Sequence, residues 1–296
     1  MISRLKPEWQ TILLAVLIYA LFGFVTWNYH SFPGWFVFII GGYVVAWHGS
    51  LRHEAVHMHP TTSNQLNELL VLPSLDLYLP FRLYAQTHIK HHINQNLTDP
   101  ELDPESFYLF EKRWNTLPLV RQWSHWIFHT LAGRLLLYPF WMIPYFWFDE
   151  ALNLARGDIR NLQAWIWHLL GITLTMSWAI GACGIPLWEY LLLFVYPGTS
   201  LTLLRSFAEH RSHPDCEGRS AILETGNFFG ILYLYNNYHA LHHNNPQVPW
   251  YKLPMLFLQE REKLLERNGN YLIRGYSELF RKNLVSPKEI PYLLSQ

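Results

Sequence analysis

Two long stretches without charged side chains open the chain, and they limit how it can fold. Residues 10–29 contain no Asp, Glu, Lys or Arg, and residues 32–50 form a second such stretch after a short connection. About 20 apolar residues in a helix, at 1.5 Å per residue, span the roughly 30 Å hydrocarbon core of a bilayer. Only 15% of all residues are charged, against about 25% in a soluble domain. The sequence therefore predicts a helical hairpin that crosses a membrane.

A second apolar pair follows more than a hundred residues later, at 162–183 and 186–204. The predicted fold is thus an all-α integral membrane protein with four transmembrane helices in two hairpins. We expect one domain over residues 1–296. The apolar segment 131–148 contains prolines and is predicted to be an interfacial or re-entrant helix rather than an additional span. Residues 66–81, also broken by prolines, are predicted to be interfacial.

The cations are distributed unevenly along the chain. Arg4 and Lys6 precede the first span, nine Lys and Arg lie between Arg52 and Arg160, and eleven lie between Arg205 and Lys288. The short connections around residues 30 and 184 carry none. Because cytoplasmic loops are rich in Lys and Arg, we expect residues 51–161 and 205–296 to form a helical cap in the cytoplasm. The 22 cations equal the 22 acidic residues, a balance that argues against a nucleic-acid partner.

Many of the 16 histidines stand at the spacing of metal ligands. They form His53-Glu-Ala-Val-His57, His88-Ile-Lys-His91-His92 and His239-Ala-Leu-His242-His243, and His210 follows the fourth span, with His213 as an alternative to it. Side chains at i, i+3 and i+4 share one face of a helix, so each H-x-x-H-H box is predicted to offer up to three imidazoles to one point. Four spans would place every group on the cytoplasmic side.

The chemistry of imidazole narrows the choice of metal. Neutral imidazole binds Fe, Zn, Cu and Ni. Structural and catalytic zinc is almost always four-coordinate, so nine clustered histidines are too many for one zinc ion. Two ions with four or five ligands each would use them all.

The order of the boxes resembles a known family. H-E-x-x-H followed by two H-x-x-H-H boxes, with hydrophobic hairpins between them, is similar to the membrane fatty acid desaturases and, more widely, to carotenoid ketolases and alkane hydroxylases. The resemblance covers roughly Phe36 to Leu258. Residues 92–106, 205–211 and 236–254 look like the corresponding segments of bacterial members.

The resemblance implies a bacterial inner-membrane enzyme with a non-haem di-iron site facing the cytoplasm. Such an enzyme uses O2 to oxidise an unactivated C–H bond of a lipid acyl chain, most often by desaturation. By position, the iron ligands would be His53, His57, His88, His91, His92, His210, His239, His242 and His243, and no other catalytic side chain is assigned. No cytochrome b5 module or His-Pro-Gly-Gly haem motif is present in the sequence, so we expect a separate ferredoxin, rubredoxin or cytochrome to supply electrons.

Carboxylates beside the boxes are expected to orient the imidazoles by accepting their second N–H. The candidates are Glu54, Asp99, Asp103 and Glu209. Asp99 and Asp103 have the alternative of lying in a solvated Asp-Pro loop. Glu209 stands four residues after Arg205, and the alternative there is a simple i, i+4 ion pair.

Other functions fit parts of the pattern. Hydroxylation, ketolation and oxidative decarboxylation to a terminal alkene can use the same scaffold. H-E-x-x-H is also the signature of zinc proteases with a Glu base, which would make Glu54 catalytic but leaves seven clustered histidines unexplained. A metal transporter or a haem protein is the non-enzymatic alternative, although transporters hold ligands near the bilayer midplane.

Overall fold

The structure is a computed structural model that describes residues 7–293, and these are mostly helical. Arg4 and Lys6, which entered the predicted orientation, lie outside the described residues. In chain order the α-helices are α1 (Trp9–Trp27), α2 (Gly34–Val56), α3 (Asn64–Leu70), α4 (Phe81–His91), α5 (Glu111–Thr116), α6 (Leu119–Phe128), α7 (Tyr138–Ala155), α8 (Leu162–Met176), α9 (Leu187–Tyr190), α10 (Tyr196–Glu209), α11 (Asn227–Leu232), α12 (His239–Asn244), α13 (Leu253–Arg267) and α14 (Tyr276–Asn283).

Short π-helical segments and strands connect these helices. The π segments run directly into α-helices and span Gly133–Leu137, Ser177–Ala182 and Leu191–Val195. The strands are two residues long: β1 (Leu109–Phe110), β2 (Ile222–Leu223), β3 (Leu272–Ile273) and β4 (Tyr292–Leu293). β1 pairs in parallel with β4, and β2 with β3.

Three helices are long and apolar enough to cross a membrane: α1, α2 and the continuous helical run Leu187–Glu209. They agree with three of the four predicted spans. The segment predicted as the remaining span is helical from Leu162 to Ala182 but is not among these three. The four-span topology and the cytoplasmic cap therefore stay predictions.

The chain divides into two compact units. Among the described residues, unit 1 comprises 7–85 and 140–202, and unit 2 comprises 86–139 and 203–293. The prediction of a single domain over the whole chain stays a prediction.

Unit 1 contains the apolar helices, and glycines allow two of its segments to pack closely. A Cβ on Gly42 would lie 2.6 Å from the Cβ of Pro197, and one on Gly41 would lie 2.8 Å from the carbonyl oxygen of Leu193. Small residues permit this approach between helices in a membrane. On the outer side, apolar side chains such as Val16 are 57% exposed, a surface suited to lipid rather than water.

In the segment 66–81, predicted to be interfacial, α3 ends at Leu70 and residues 71–80 are irregular. The interfacial position stays a prediction. Pro73 and Pro80 lack the N–H that a continuing helix needs. The carbonyls of the irregular residues 71–80 instead accept hydrogen bonds from side chains of unit 1: Tyr190 to Leu75 at 2.9 Å, His168 to Leu77 at 3.1 Å and Arg52 to Leu79 at 2.5 Å. Non-helical backbone is tolerated near lipid when protein satisfies its polar groups in this way.

The other proline-containing segment is helical as predicted. The π segment Gly133–Leu137 continues into α7, which holds Pro144 and extends to Ala155. Whether this helix is interfacial or re-entrant stays a prediction.

In unit 2 the extended segment at Ala221 hydrogen-bonds both the end of α10 and the start of α12. The N–H of Ala221 donates to the carbonyl of Glu209 at 2.8 Å, and the carbonyl of Ala221 accepts the N–H of Ala240 at 2.9 Å. The flanking strand residue Ile222 is fully buried in a core with Leu241, Leu253, Phe257 and Leu264. This packing fixes where the histidines of α12 lie relative to residue 210.

Candidate metal centre

Seven of the nine histidines singled out in the sequence lie in unit 2, where they form two groups. The larger group, which we call the four-histidine group, contains His91, His210, His239 and His243, whose ligand atoms all lie within 4.8 Å of one another. The Nε2 atom of His210 lies 3.0 Å from that of His91 and 2.8 Å from that of His239. The Nε2 atoms of His239 and His243 are 3.1 Å apart. Four ring nitrogens thus converge on one small volume.

The second cluster, the three-histidine group, contains His88, His92 and His242. The Nε2 atom of His92 lies 3.0 Å from that of His88 and 3.1 Å from that of His242. His88 and His242 are fully buried, while His92 is partly exposed.

The histidine boxes do not each converge on a single point, and that prediction was wrong. His88 and His92, at i and i+4, share one group, whereas His91 at i+3 belongs to the other. In the third box His239 and His243 share a group and His242 joins the opposite one. With 100° per residue, i+4 lies about 40° to one side of i and i+3 lies about 60° to the other. One helix face therefore serves two neighbouring points.

The first box lies in unit 1, at the end of α2. His53 is in the last turn and His57 is the residue that follows the helix. Both are buried, and their ring centroids are 4.8 Å apart. They share a face, as the i, i+4 spacing predicts.

Carboxylates contact the outward nitrogens of two histidines on α4. Asp103 lies 2.9 Å from Nδ1 of His91, and Glu105 lies 2.9 Å from Nδ1 of His88. Asp103 was among the predicted orienting residues, but Glu105 was not. Its only sequence signal was its place two residues after Asp103, in a loop whose path the sequence does not specify.

Glu209 combines both roles considered for it. Its Oε1 atom lies 3.3 Å from Nδ1 of His239 and 3.0 Å from Nε of Arg205. It also accepts a hydrogen bond of 2.9 Å from the side-chain amide of Asn236. The i, i+4 ion pair therefore holds the carboxylate beside the imidazole.

The remaining carboxylate candidates lie differently. Asp99 accepts the backbone N–H groups of Glu101 and Leu102, both at 2.9 Å, and so stabilises a turn. Glu54 is buried on α2, with its Oε1 atom 4.0 Å from Nδ1 of the adjacent His53. The described groups also do not include His213, the alternative to His210; its Nδ1 contacts the backbone of Asp215.

These partners define the tautomers. A carboxylate can only accept, so the neutral imidazoles of His88 and His239 carry their proton on Nδ1 and keep Nε2 as the acceptor. His210 is arranged alike, since its Nδ1 faces the carbonyl of Arg219 at 3.3 Å. The Nε2 lone pairs of His210 and His239 thus face each other across 2.8 Å. Such an arrangement is repulsive unless a cation lies between the nitrogens.

The protonation states of most of the clustered histidines also suit metal binding. Burial lowers the pKa of His210, His239 and His243 well below the usual value, so these rings are neutral near pH 7. Burial also lowers the pKa of His92 to about 3. Although burial opposes it, Glu105 and Asp103 raise the pKa of His91. The neutral rings of His92, His210, His239 and His243 are in the form in which imidazole binds a metal ion.

The chain matches a known family over most of its length. The family model for fatty acid desaturases matches residues 29–275, and a search of curated proteins finds no match. The matched region includes every histidine box and two of the three apolar helices. Its extent confirms the resemblance drawn from the boxes. This protein is therefore an integral membrane oxidoreductase that belongs to the fatty acid desaturase family.

Proposed function

We propose that this protein uses O2 and two iron ions to introduce a double bond into a lipid acyl chain. The observation that carries the proposal is the pair of imidazole groups in unit 2, with Nε2 atoms converging and Nδ1 atoms held by carboxylates. A di-iron centre held there would supply the O2-activating oxidation that an unactivated methylene C–H bond requires.

The donor set is compatible with iron. The ligand atoms of His91, His210, His239 and His243 all lie within 4.8 Å of one another, so one ion could be bound by all four. Neutral imidazole binds Fe as well as Zn, Cu and Ni, and it is membership of the desaturase family that supports iron.

We assign His91, His210, His239 and His243 to one iron, and His88, His92 and His242 to the other. His53 and His57 are the candidates to complete the second set, because the H-E-x-x-H box is the remaining histidine motif of the family pattern. Asp103, Glu105 and Glu209 act on the rings rather than on substrate. Each holds an Nδ1 proton and so directs the Nε2 lone pair inward.

We further propose a four-span topology with the histidine boxes facing the cytoplasm of a bacterial cell. Contacts within unit 1 support it, since the two short connections lie at the same end. His30 in the first connection hydrogen-bonds the carbonyl of Cys183 in the second at 3.1 Å, and the rings of Trp27 and Trp178 stack nearby. Cysteines placed in either connection should react with impermeant thiol reagents from the periplasm, and a C-terminal green fluorescent protein should be fluorescent.

The reaction is tested by expressing the protein with a ferredoxin, rubredoxin or cytochrome reductase system and analysing total lipids by mass spectrometry. Products 2 Da lighter than the parent acyl chains, present with the wild type and absent with His91→Ala, support desaturation. A gain of 16 Da would indicate hydroxylation instead, and a terminal alkene would indicate decarboxylation. Unchanged lipids in an iron-loaded, reduced preparation would reject the lipid-oxidase proposal.

A further inference from the structure

A lysine near the C-terminus contacts the end of the helix that precedes His210. The half-buried Lys288 donates from Nζ to the carbonyl of Phe207 at 2.7 Å and to the carbonyl of His210 at 2.5 Å. The last four carbonyls of a helix have no intrahelical partner, and α10 ends at Glu209. An ammonium group at this end satisfies free carbonyls and balances the negative pole of the helix.

The segment that carries this lysine, residues 284–293, is itself fixed to unit 2; we call it the C-terminal strap. The carbonyl of Leu284 accepts the N–H of Ala132, and the N–H of Lys288 donates to the carbonyl of His129, both at 2.9 Å. At the far end of the strap, β4 pairs with β1. The position of Lys288 is therefore set by backbone contacts on both sides of it.

The next strap residue contacts the same turn. Glu289 accepts the backbone N–H of Ser212 at 3.0 Å and the hydroxyl of Tyr108. Lys288 and Glu289 thus hold the chain at residues 210 and 212. On its opposite side His210 is bridged to Ser220 and its Nδ1 faces Arg219.

These contacts matter because His210 follows a helix instead of lying within one. The other three members of the four-histidine group, His91, His239 and His243, are residues of α4 and α12, where the helix fixes the direction of the ring. His210 has no such support, yet its Nε2 approaches those of His91 and His239 to 3.0 and 2.8 Å.

We propose that Lys288 is a positioning residue that fixes the peptide of His210 and so aims its Nε2 atom into the four-histidine group, with Glu289 holding the following turn. This inference rests on the proposed role of that group as an iron site. The strap lies beyond residues 29–275, the part of the chain matched to the family.

The test measures metal binding by the full-length protein in detergent. Wild type, Lys288→Met, Lys288→Arg and the control Lys282→Met are stripped of metal and titrated anaerobically with Fe(II), and separately with Co(II) while visible absorption is recorded. Lys282 is 64% exposed and pairs with Glu278 within α14, so it tests loss of a nearby lysine charge. We expect Lys288→Met to weaken one of two sites by about 10-fold or more, as other ligand-orienting contacts do. Lys288→Arg should restore it and Lys282→Met should match wild type.

Double variants identify the site. Lys288→Met should remove no further metal from His239→Ala, but should leave His242→Ala with weak binding at its remaining site. A Lys288→Met protein with two sites of wild-type affinity and an unchanged Co(II) spectrum would overturn the inference while leaving the proposed function intact. Wild type that binds no iron would instead refute the proposed function.

Misfolding of Lys288→Met would not end the test. Lys288→Gln keeps a polar side chain but is one bond too short to reach both carbonyls. If that variant inserts normally, weakened binding at one site supports the inference, and wild-type binding at both sites contradicts it.

Discussion

The Nε2 atoms of His239 and His210 lie 2.8 Å apart, although the surroundings of both rings place their protons on Nδ1. Two facing lone pairs at this distance need a positive charge between them. The Nε2 atoms of His210 and His91 lie 3.0 Å apart. The four-histidine group thus brings together the donors for the metal ion proposed above, and the predictions below begin from it.

Replacing a single histidine of either group should remove the one iron bound by that group. We expect His239→Ala and His242→Ala each to retain about one iron per chain, because each removes a donor from a different group, and His213→Ala to retain about two. Iron per chain is measured by inductively coupled plasma mass spectrometry on protein recovered from membranes. Two irons in His239→Ala would contradict its assignment as a ligand.

Removing the charge of Asp103 should weaken metal binding. The carboxylate lies 2.9 Å from Nδ1 of His91, and losing such a partner typically costs 10- to 100-fold in metal affinity. We expect that range for Asp103→Asn in competition with a chelator. Asp99→Asn is the matched control, since Asp99 lies in the same loop and its side chain accepts backbone N–H groups. Equal affinities for the two variants would count against the orienting role.

Gly42 should tolerate no added methyl group, in contrast to Gly23. A Cβ at Gly42 would lie 2.6 Å from Pro197, whereas one at Gly23 meets nothing within 4 Å. Overpacking of this kind typically costs about 1–3 kcal/mol, and a Gly→Ala change at an open helical position gains up to about 1 kcal/mol. We therefore expect Gly42→Ala to lower the Tm in detergent and Gly23→Ala to maintain or raise it. A Tm for Gly42→Ala at or above that of wild type would show that the helices separate easily.

His129 should make unit 2 sensitive to acid. Burial lowers its pKa to about 3, from an ordinary value of 6.5. As the pH falls, His129 therefore becomes protonated near pH 6.5 in the unfolded chain but only near pH 3 in the folded chain. The stabilising contribution is complete above pH 6.5 and decreases as the pH falls, by about 1.4 kcal/mol between roughly pH 7.5 and pH 5.5.

The variant His129→Gln removes this dependence while keeping a donor for the carbonyl of His125, which Nδ1 of His129 contacts at 2.8 Å. Between the two pH values the Tm of the variant should fall less than that of wild type. His30→Gln, which changes an exposed histidine, should follow wild type. Equal losses of Tm in all three proteins would show that acid acts elsewhere.

Helical periodicity predicted the part of the site that depends on side-chain spacing within one helix. It identified the histidines that gather in unit 2 and paired His53 with His57. It did not predict that His91 would join the four-histidine group and His242 the three-histidine group. Spacing alone places the i+3 and i+4 residues near one face. That choice depends on what packs against each helix, which is tertiary information.

The contacts made by irregular segments could not be predicted from the sequence. Glu105 reaches His88 only through the turns of residues 94–106, and Lys288 reaches His210 across 78 residues. The apolar composition of the segment 66–81 does not show which side chains contact it. Its carbonyls are bonded to side chains that are distant in sequence, such as Tyr190. Such pairings leave no local signal.

Each H-x-x-H-H box is divided between the two groups, so the backbone of each box connects one group to the other. His91 and His92 are adjacent residues that face different groups, and so are His242 and His243. Adjacent Cα atoms are always 3.8 Å apart in a trans chain, so covalent geometry limits how far the two metal positions can drift apart. A loop rearrangement could alter the ligands of one proposed metal position, but it could not separate the backbones of the two histidines in such a pair.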